Sequence, residues 1–274
     1  MVEHGIVKNH MKDGIWYEEI KSNTEIGFTS LQTLENNKKK IKTYNMRHLS
    51  RVLPLFFVMC GMGSQAQTIS GNVASHDYVD LGLPSGTKWA TYNVGATTPT
   101  QFGDRFAWGE TQPKEEYSWD TYKWCKYKEQ DMDNNPADFT KYVLDKYRGK
   151  LDKKERLDAA DDAATSNWGS AWRMPTKEEG EELLAGCTWE WTDDFNGTGV
   201  AGRIGTSKSN SNTIFLPAAG ALLKEIFDDE SREIKSGYWT SSIIDDMLAA
   251  YIFFDGEDFY SPRFIGCSVR AVLK

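Results

Sequence analysis

Tryptophan spacing in the middle of the chain is the feature that most constrains the fold. Trp168 and Trp172 stand within one short motif, and Trp239 follows ahead of the C-terminal segments. An indole ring buries a large apolar area when it is packed, so these rings require a core. We expect the turn that carries Trp168 and Trp172 to pack against the terminal β segments in one compact body.

A helix begins directly after this turn. Pro175 precedes Thr176, whose hydroxyl suits an N-cap, and Glu179 follows three positions later. This order is the signature of a capping box, in which the two side chains satisfy backbone N–H groups at the helix start. The sequence therefore predicts a helix over residues 176–186.

Residues 46–66 have the order of a secretory signal peptide. Arg47 and Arg51 give a charged n-region, residues 52–62 are apolar, and small residues end the segment at Ala66. The apolar run is shorter than the roughly 20 residues that cross a bilayer. We expect export with cleavage after Ala66; the alternative is a buried helix of a cytosolic domain.

The segments on either side of this signal are less informative. Residues 1–45 lack an apolar face, so they are interpreted as a wrongly assigned start, with Met46 as the true one, or as a disordered leader. Cys60 leaves lipidation as a minor option. Residues 67–76 are short and polar and predict a flexible lead-in, and residues 77–274 predict one domain.

The net charge of the chain limits the classes of partner that it can bind. The full chain has a formal net charge of −8, and loss of residues 1–66 removes nine basic but only six acidic side chains, leaving −11. An acidic surface repels nucleic acid and anionic lipid. We therefore expect no nucleic-acid partner and no membrane insertion of the mature chain.

Few side chains in the mature chain suit catalysis or metal binding. His76 is its one histidine, so a zinc site built from several imidazoles is excluded and a nucleophile–histidine device would need His76 itself. Cys125, Cys187 and Cys267 form an odd set in an oxidising compartment. We expect one disulfide and one buried thiol, without a choice of pair.

The first half of this domain predicts strands and then long ordered loops. Alternation over residues 78–81 predicts a strand, and residues 87–94 predict its returning partner with Trp89 facing inward. Residues 97–150 show no sustained helix or strand periodicity of their apolar residues, but they are rich in aromatic rings. Those rings are interpreted as a satellite core beneath the loops, with a carbohydrate-stacking platform as the alternative; they are Trp108, Trp119, Tyr122, Trp124 and Tyr127.

The second half predicts one more helix and several short strands. Leu157, Ala160 and Ala164 are spaced to share a face, which predicts a helix over residues 151–165. Asn196-Gly197 favours a hairpin turn, and the acidic residues 224–235 an exposed excursion. Strands are expected at 187–191, 213–219, 238–240, 250–254 and 268–272. The fold class is therefore α+β, with short antiparallel strands, two helices and long ordered loops.

Several linked motifs resemble one known family. They are YVDLGLPSGTKWA at 78–90, WRMPT at 172–176, FLPAAG at 215–220, YWTSS at 238–242 and GCSVR at 266–270. In this order they resemble the Fibrobacter succinogenes major paralogous domain family. Two positions depart from its pattern: Tyr92 stands where relatives often have Cys, and Ala271 where Pro is usual.

This resemblance implies a C-type-lectin-like fold, which is also similar to the formylglycine-generating-enzyme domain. It further implies an exported bacterial surface protein, as in many gut Bacteroidetes, that binds a ligand. The residues of its structural motif are Trp168, Trp172, Arg173, Pro175, Thr176 and Arg270. Arg173 is expected to hold carbonyls and carboxylates in place through its planar donors.

The leading functional hypothesis is a non-enzymatic binding or adhesion module without a cofactor or metal. The last strands and loops of lectin-like folds form one exposed face, and aromatic and arginine anchors suit recognition of a protein or glycan. The predicted ligand-binding residues are Trp239, Asp245, Asp246, Tyr251, Asp258, Tyr260 and Arg263.

Two alternatives come from other functional classes. A copper-dependent enzyme of the formylglycine-generating type would need two thiols together, and Cys187 with Cys267 is the candidate pair. A structural envelope or fimbrial component would use the acidic surface for solubility or assembly. Acidic clusters such as Asp245-Asp246 lack the spacing of a calcium loop and are interpreted as solvated carboxylates.

Overall fold

A computed structural model describes residues 67–126, 138–221, 237–252 and 260–273, together with the backbone of two strands near the N-terminus. The chain divides into two units, Met1–Cys60 and Gly61–Lys274. In the first unit, β1 (Val7–Lys12) pairs antiparallel with β2 (Ile15–Ile20). The predicted signal segment 46–66 lies outside the described residues, so export stays a prediction.

The second unit is built on three sheets. The first has the strand order β3-β4-β5-β15-β7, the second β13-β12-β11-β14-β6 and the third β10-β9-β8. Neighbouring strands in them run antiparallel, except that β11 and β14 run parallel. The strands are β3 (Gly71–Val73), β4 (His76–Asp80), β5 (Lys88–Ala90), β6 (Arg105–Phe106), β7 (Trp172–Arg173), β8 (Cys187–Thr192), β9 (Gly202–Ser207), β10 (Thr213–Pro217), β11 (Tyr238–Ile243), β12 (Leu248–Ile252), β13 (Tyr260–Pro262), β14 (Cys267–Ser268) and β15 (Val272–Leu273).

The described part of this unit has two α-helices, α1 (Ala163–Trp168) and α2 (Lys177–Gly186). Single 3₁₀ turns occupy Trp119–Thr121, Ala159–Asp161 and Phe195–Gly197. Mostly antiparallel sheet with two helices is an α+β fold, as predicted. Among the described residues there is no helix of the length and apolar character that a membrane span requires.

The helix predicted from the capping box is confirmed. Thr176 is the N-cap of α2, its hydroxyl accepts from the Glu179 backbone N–H at 3.2 Å, and a Glu179 carboxylate oxygen accepts from the Thr176 N–H at 2.8 Å. The turn before it packs against the terminal strands, since the Ser241 N–H donates to the Pro175 carbonyl at 2.7 Å. Trp172 and Trp239 lie in one core cluster.

The helix predicted over residues 151–165 is wrong. The backbone of this stretch bonds to other segments: Leu157 N–H donates to the Ser241 carbonyl, and Ile243 N–H donates to the Glu155 carbonyl. These long-range bonds satisfy groups that an isolated helix would have paired internally. Helix α1 starts only after Asp162, whose carboxylate caps the Thr165 N–H at 2.8 Å.

Two further predictions differ from the structure. Residues 67–76 are part of a sheet and not a flexible lead-in: β3 pairs with β4, and the Gln67 side chain bonds the Thr91 carbonyl and the Phe215 N–H. The strand predicted over residues 268–272 is two strands, β14 and β15, which belong to different sheets. The chain changes sheets at buried Arg270.

The aromatic rings of the loop region form the satellite core that was predicted. Trp119, Tyr122 and Phe139 are buried in one cluster with Tyr117 and Val143. Trp108 is fully buried and belongs to the main cluster. Trp124 is partly buried against both clusters, and Tyr127 lies outside the described residues. The carbohydrate-platform alternative is therefore wrong for Trp108, Trp119 and Tyr122.

Candidate ligand-binding face

Arg263 is predicted from the sequence as a ligand contact, but the structure places it in the interior, where it holds two loops together. Its side chain is completely buried. Its guanidinium donates to the Tyr122 hydroxyl at 3.0 Å and to the carbonyls of Tyr142, Asp246 and Lys141 at 3.1, 2.8 and 3.0 Å. A buried charge requires such partners, because unpaired burial is costly. Arg263 thus joins the turn at Asp246 to the loop at 141–142.

Aromatic faces complete the surroundings of this guanidinium. Its centre lies 5.0 Å from the Trp108 ring and 4.9 Å from the Phe139 ring, with Tyr122 and Tyr142 slightly farther away. Cation–π attraction is strongest when the cation is desolvated, as it is here. Burial raises the pKa of Tyr122 well above its usual value despite the opposing effect of Arg263, so its hydroxyl stays neutral.

Asp246 and Trp239 are also corrected from ligand contacts to structural residues. The buried Asp246 carboxylate accepts from the backbone N–H groups of Leu144 and Asp145 at 2.6 and 3.1 Å. The fully buried Trp239 donates its indole N–H to the Phe106 carbonyl at 2.8 Å. Both side chains are needed to satisfy interior groups, which removes them from an exposed face.

The other predicted ligand residues have different positions. Asp245 and Tyr260 are exposed. Tyr251 is half-buried and meets the Trp239 ring edge-to-face at a centroid distance of 6.1 Å. Asp258 lies outside the described residues. The structure brings Asp245 and Asp246 together at one pocket and places Tyr260 on β13, away from the pocket lining.

This pocket is the candidate site, because its lining includes two of the predicted ligand-binding residues, Asp245 and Asp246. It has a volume of about 360 Å³ and is lined by Leu144, Asp145, Arg148, Asp245, Asp246 and Met247. Its walls are two turns, residues 144–148 and 245–247, which we call the paired turns. The Asp246 carboxylate bonds described above hold the two turns to each other.

The paired turns present fixed polar groups. The Asp245 carboxylate accepts from the N–H groups of Met247 and Leu248 at 2.7 and 2.8 Å, and the Asp145 carboxylate accepts from Tyr147 N–H at 3.0 Å. Each carboxylate is thereby oriented by its own backbone, as in an Asx turn. Arg148 supplies the positive charge of the lining. Such groups can bond hydroxyls and peptide groups.

Exposed apolar side chains lie at the same turns. Tyr147 is 76% exposed, the highest value among the large hydrophobic residues that the structure describes as exposed, and Ile244, directly before Asp245, is 37% exposed. Solvent-exposed tyrosines beside polar groups are typical of recognition surfaces. Sequence reasoning missed residues 144–148, because their approach to residues 245–247 depends on long-range hydrogen bonds.

Comparison with known proteins adds no assignment. No family model, curated protein or solved structure matches the chain.

The motif residues implied by the resemblance have structural roles. Arg173 forms a bidentate pair with Glu179, with N–O distances of 2.6 and 2.5 Å, and donates to the Met174 carbonyl at 3.1 Å. This confirms its predicted role. Burial raises the pKa of Glu179, but hydrogen bonds from Arg173 and Thr176 outweigh that effect and hold the pKa below its usual range.

His76 is part of an aromatic stack. Its ring stacks on Trp168 at a centroid distance of 3.9 Å, and its Nδ1 lies 3.3 Å from the Tyr92 hydroxyl. Burial lowers the pKa of His76, opposed by the charge of Asp77. Trp168 thereby covers the start of β4 and links the motif to the first sheet.

The cysteine prediction is wrong. Cys187 and Cys267 are buried free thiols, so the expected disulfide among Cys125, Cys187 and Cys267 does not form. They also belong to different core clusters. Burial raises the pKa of Cys187 to about 11 and of Cys267 to about 12, which keeps both as neutral thiols. Within the described ranges, no group of three or more His, Cys, Asp or Glu residues is placed to hold a metal.

Proposed function

We propose that the chain is an exported, non-enzymatic binding or adhesion module of a bacterial surface. Its ligand is a protein or a glycan, and the paired turns are the recognition site. The observation that carries the proposal is the contrast at these turns: Asp246 and Arg263 hold them from inside, while Asp245 and Tyr147 are exposed. Asp245 also lines the pocket, together with Arg148. A rigid support with polar and aromatic groups on its rim suits recognition.

A C-type-lectin-like architecture is part of this proposal. Its support is the agreement between the motif and the contacts of its residues: Trp172 is fully buried, Thr176 caps α2, and Arg270 is buried where the chain passes between sheets. Loops held on a rigid scaffold are where binding residues concentrate. The paired turns are such loops, since one precedes α1 and the other joins β11 to β12.

The enzymatic alternative receives less support. A copper site of the expected type would need Cys187 and Cys267 in contact, and they lie in separate core clusters. In the pocket at the paired turns, the Asp245 and Asp145 carboxylates accept hydrogen bonds from nearby backbone N–H groups, which favours a binding role. Polymer formation by the purified protein would favour the structural-component alternative.

A binding array tests the proposal. The purified protein is applied to immobilised glycans and bacterial and host surface proteins, with and without chelator. We expect selective retention of at least one ligand class. The double variant Arg148→Gln/Asp245→Asn should reduce that retention at least tenfold, which corresponds to about 1.4 kcal/mol.

A matched control separates this site from the rest of the surface. Lys88→Gln removes an exposed charge on β5 that pairs with Asp80 at 3.9 Å, far along the chain from the paired turns. It should leave retention unchanged. Equal retention by the wild type and the double variant would show that the paired turns are not the recognition site, and absence of any retained ligand would count against a binding module.

A further inference from the structure

A second and larger groove lies between the segment 156–165 and the start of α2. Its volume is about 500 Å³. This is within the range of small-molecule sites, roughly 300–1,000 Å³. It shares no lining residue with the pocket at the paired turns. Whatever binds here is therefore independent of the proposed function.

One part of the groove is apolar. Leu157, Ala159 and Met174 contribute to its lining. Met174 is buried, and Leu157 is fixed by the hydrogen bond from its N–H to the Ser241 carbonyl. An apolar wall of this kind takes up a hydrocarbon group, because binding removes apolar surface from water.

Opposite charges meet in the same lining. Arg156 Nη2 lies 3.2 Å from a Glu178 carboxylate oxygen, and the two side chains are 59% and 65% exposed. An exposed ion pair contributes little to stability, since water screens it. Both partners can exchange this bond for charges on a ligand at small cost.

Within the part of the chain that the structure describes, Arg173 has donors without an acceptor. The hydrogen bonds to Glu179 and Met174 use three of the five N–H groups of its guanidinium. The neighbouring carboxylates are already occupied: Glu179 by Arg173 and the Thr176 N–H, and Asp162 by the N–H groups of Thr165 and Met174. The groove therefore offers donors for a carboxylate, and exposed Glu178 accepts from a cation.

We propose that this groove binds a free α-amino acid with an apolar side chain. Its carboxylate bonds Arg156 and the remaining donors of Arg173. Its ammonium group bonds Glu178, and its side chain packs on Leu157 and Met174. A simple anion fits less well, because the lining carries three carboxylates, Asp162, Glu178 and Glu179, against two arginines. A zwitterion matches both signs.

Isothermal titration of the full-length protein tests this assignment. The probes are L-leucine, L-methionine and L-phenylalanine, each compared with an analogue that lacks the amine and one that lacks the carboxylate; for leucine these are 4-methylpentanoate and isopentylamine. We expect at least one amino acid to bind, and its two analogues to bind at least tenfold more weakly.

Two variants locate the site. Arg156→Gln and Glu178→Gln change exposed side chains, so both should fold, which circular dichroism checks. Each should weaken amino-acid binding at least tenfold, while Asp245→Asn at the paired turns should not change it. The proposal is overturned if none of the three amino acids binds, if the analogues bind as tightly, or if both groove variants bind like the wild type.

Discussion

Two buried arginines in the C-terminal segment are held in different ways. Arg263 donates to four partners and lies over four aromatic rings. Arg270 donates to the Asn93 side chain at 2.9 Å and to the Ala90 carbonyl at 3.2 Å, and its Nη2 has no hydrogen-bond partner in the described part of the chain. All three guanidinium nitrogens of Arg263 donate hydrogen bonds, whereas among the described residues one nitrogen of Arg270 does not.

The surroundings of the two guanidinium groups explain this difference. Carbonyl dipoles and ring faces around Arg263 replace much of the hydration that burial removes. Around Arg270, burial lowers the pKa to about 10, although Tyr238 opposes the shift. Arg270 nevertheless occupies the point at which the chain passes from β14 to β15. A cation can thus be kept in a core either for the contacts it makes or for the backbone path it fixes.

Arg263→Met should give the largest loss of stability. It removes the bonds to Tyr122, Tyr142, Asp246 and Lys141. Three carbonyls then lack these donors, and those of Tyr142 and Asp246 are in buried bonds. A buried polar group left without its partner typically costs about 1–3 kcal/mol, so the loss of several such bonds should total about 3–5 kcal/mol. Urea denaturation at pH 7 measures it. A loss below about 1 kcal/mol would contradict the role of Arg263 in holding these two loops together.

Arg270→Met should cost less than Arg263→Met. Replacing an incompletely compensated buried ion by an apolar side chain of similar length recovers part of its desolvation energy. We expect a loss of about 1–3 kcal/mol from the unpaired Asn93 and Ala90 groups. The same denaturation series gives the ranking, and an equal or larger loss for Arg270→Met would reverse the comparison.

Glu179→Gln should have a smaller, pH-dependent effect. The pKa of Glu179 is below its usual range in the folded protein, so its contribution is complete above the unfolded pKa of about 4.3 and is lost as pH falls through the folded value. We expect a loss of about 1–3 kcal/mol at pH 7. The difference from the wild type should shrink below about pH 4. Denaturation at both pH values checks this, and a difference independent of pH would contradict it.

Tyr147→Ser should have the smallest effect on stability. The ring is mostly exposed at the paired turns, and surface substitutions usually change the free energy of unfolding by less than about 0.5 kcal/mol. Thermal denaturation measures the change. A loss above about 1 kcal/mol would mean that Tyr147 is a packing residue and not part of an outward-facing rim.

The sequence predicted those features that depend on local order. The capping box of Thr176 and Glu179 fixed the start of α2, and alternation predicted β8. The predicted packing of the tryptophan turn against the terminal strands is confirmed by Trp172 and Trp239, which share a core. These predictions succeeded because propensity and packing favour the same structure at those positions.

Features that depend on distant partners could not be predicted in this way. Residues 151–158 have good helix formers, yet their backbone bonds go to Val143 and to β11, so tertiary pairing overrides propensity. Arg263 and Asp246 are residue types that are common in recognition sites. Both are buried here, because Arg263 bonds the Tyr122 hydroxyl and Asp246 bonds the Leu144 N–H. No local signal separates a charged residue that faces a ligand from one that faces its own loops.

The two adjacent aspartates at the β11–β12 turn have different roles. Asp246 points inward and ties one turn to the other, while Asp245 points outward and orders only its own bend. Under the proposed function, substitutions at the exposed positions 145, 147 and 245 would change what the paired turns recognise. The scaffold would stay intact as long as Asp246 and Arg263 are kept beneath them.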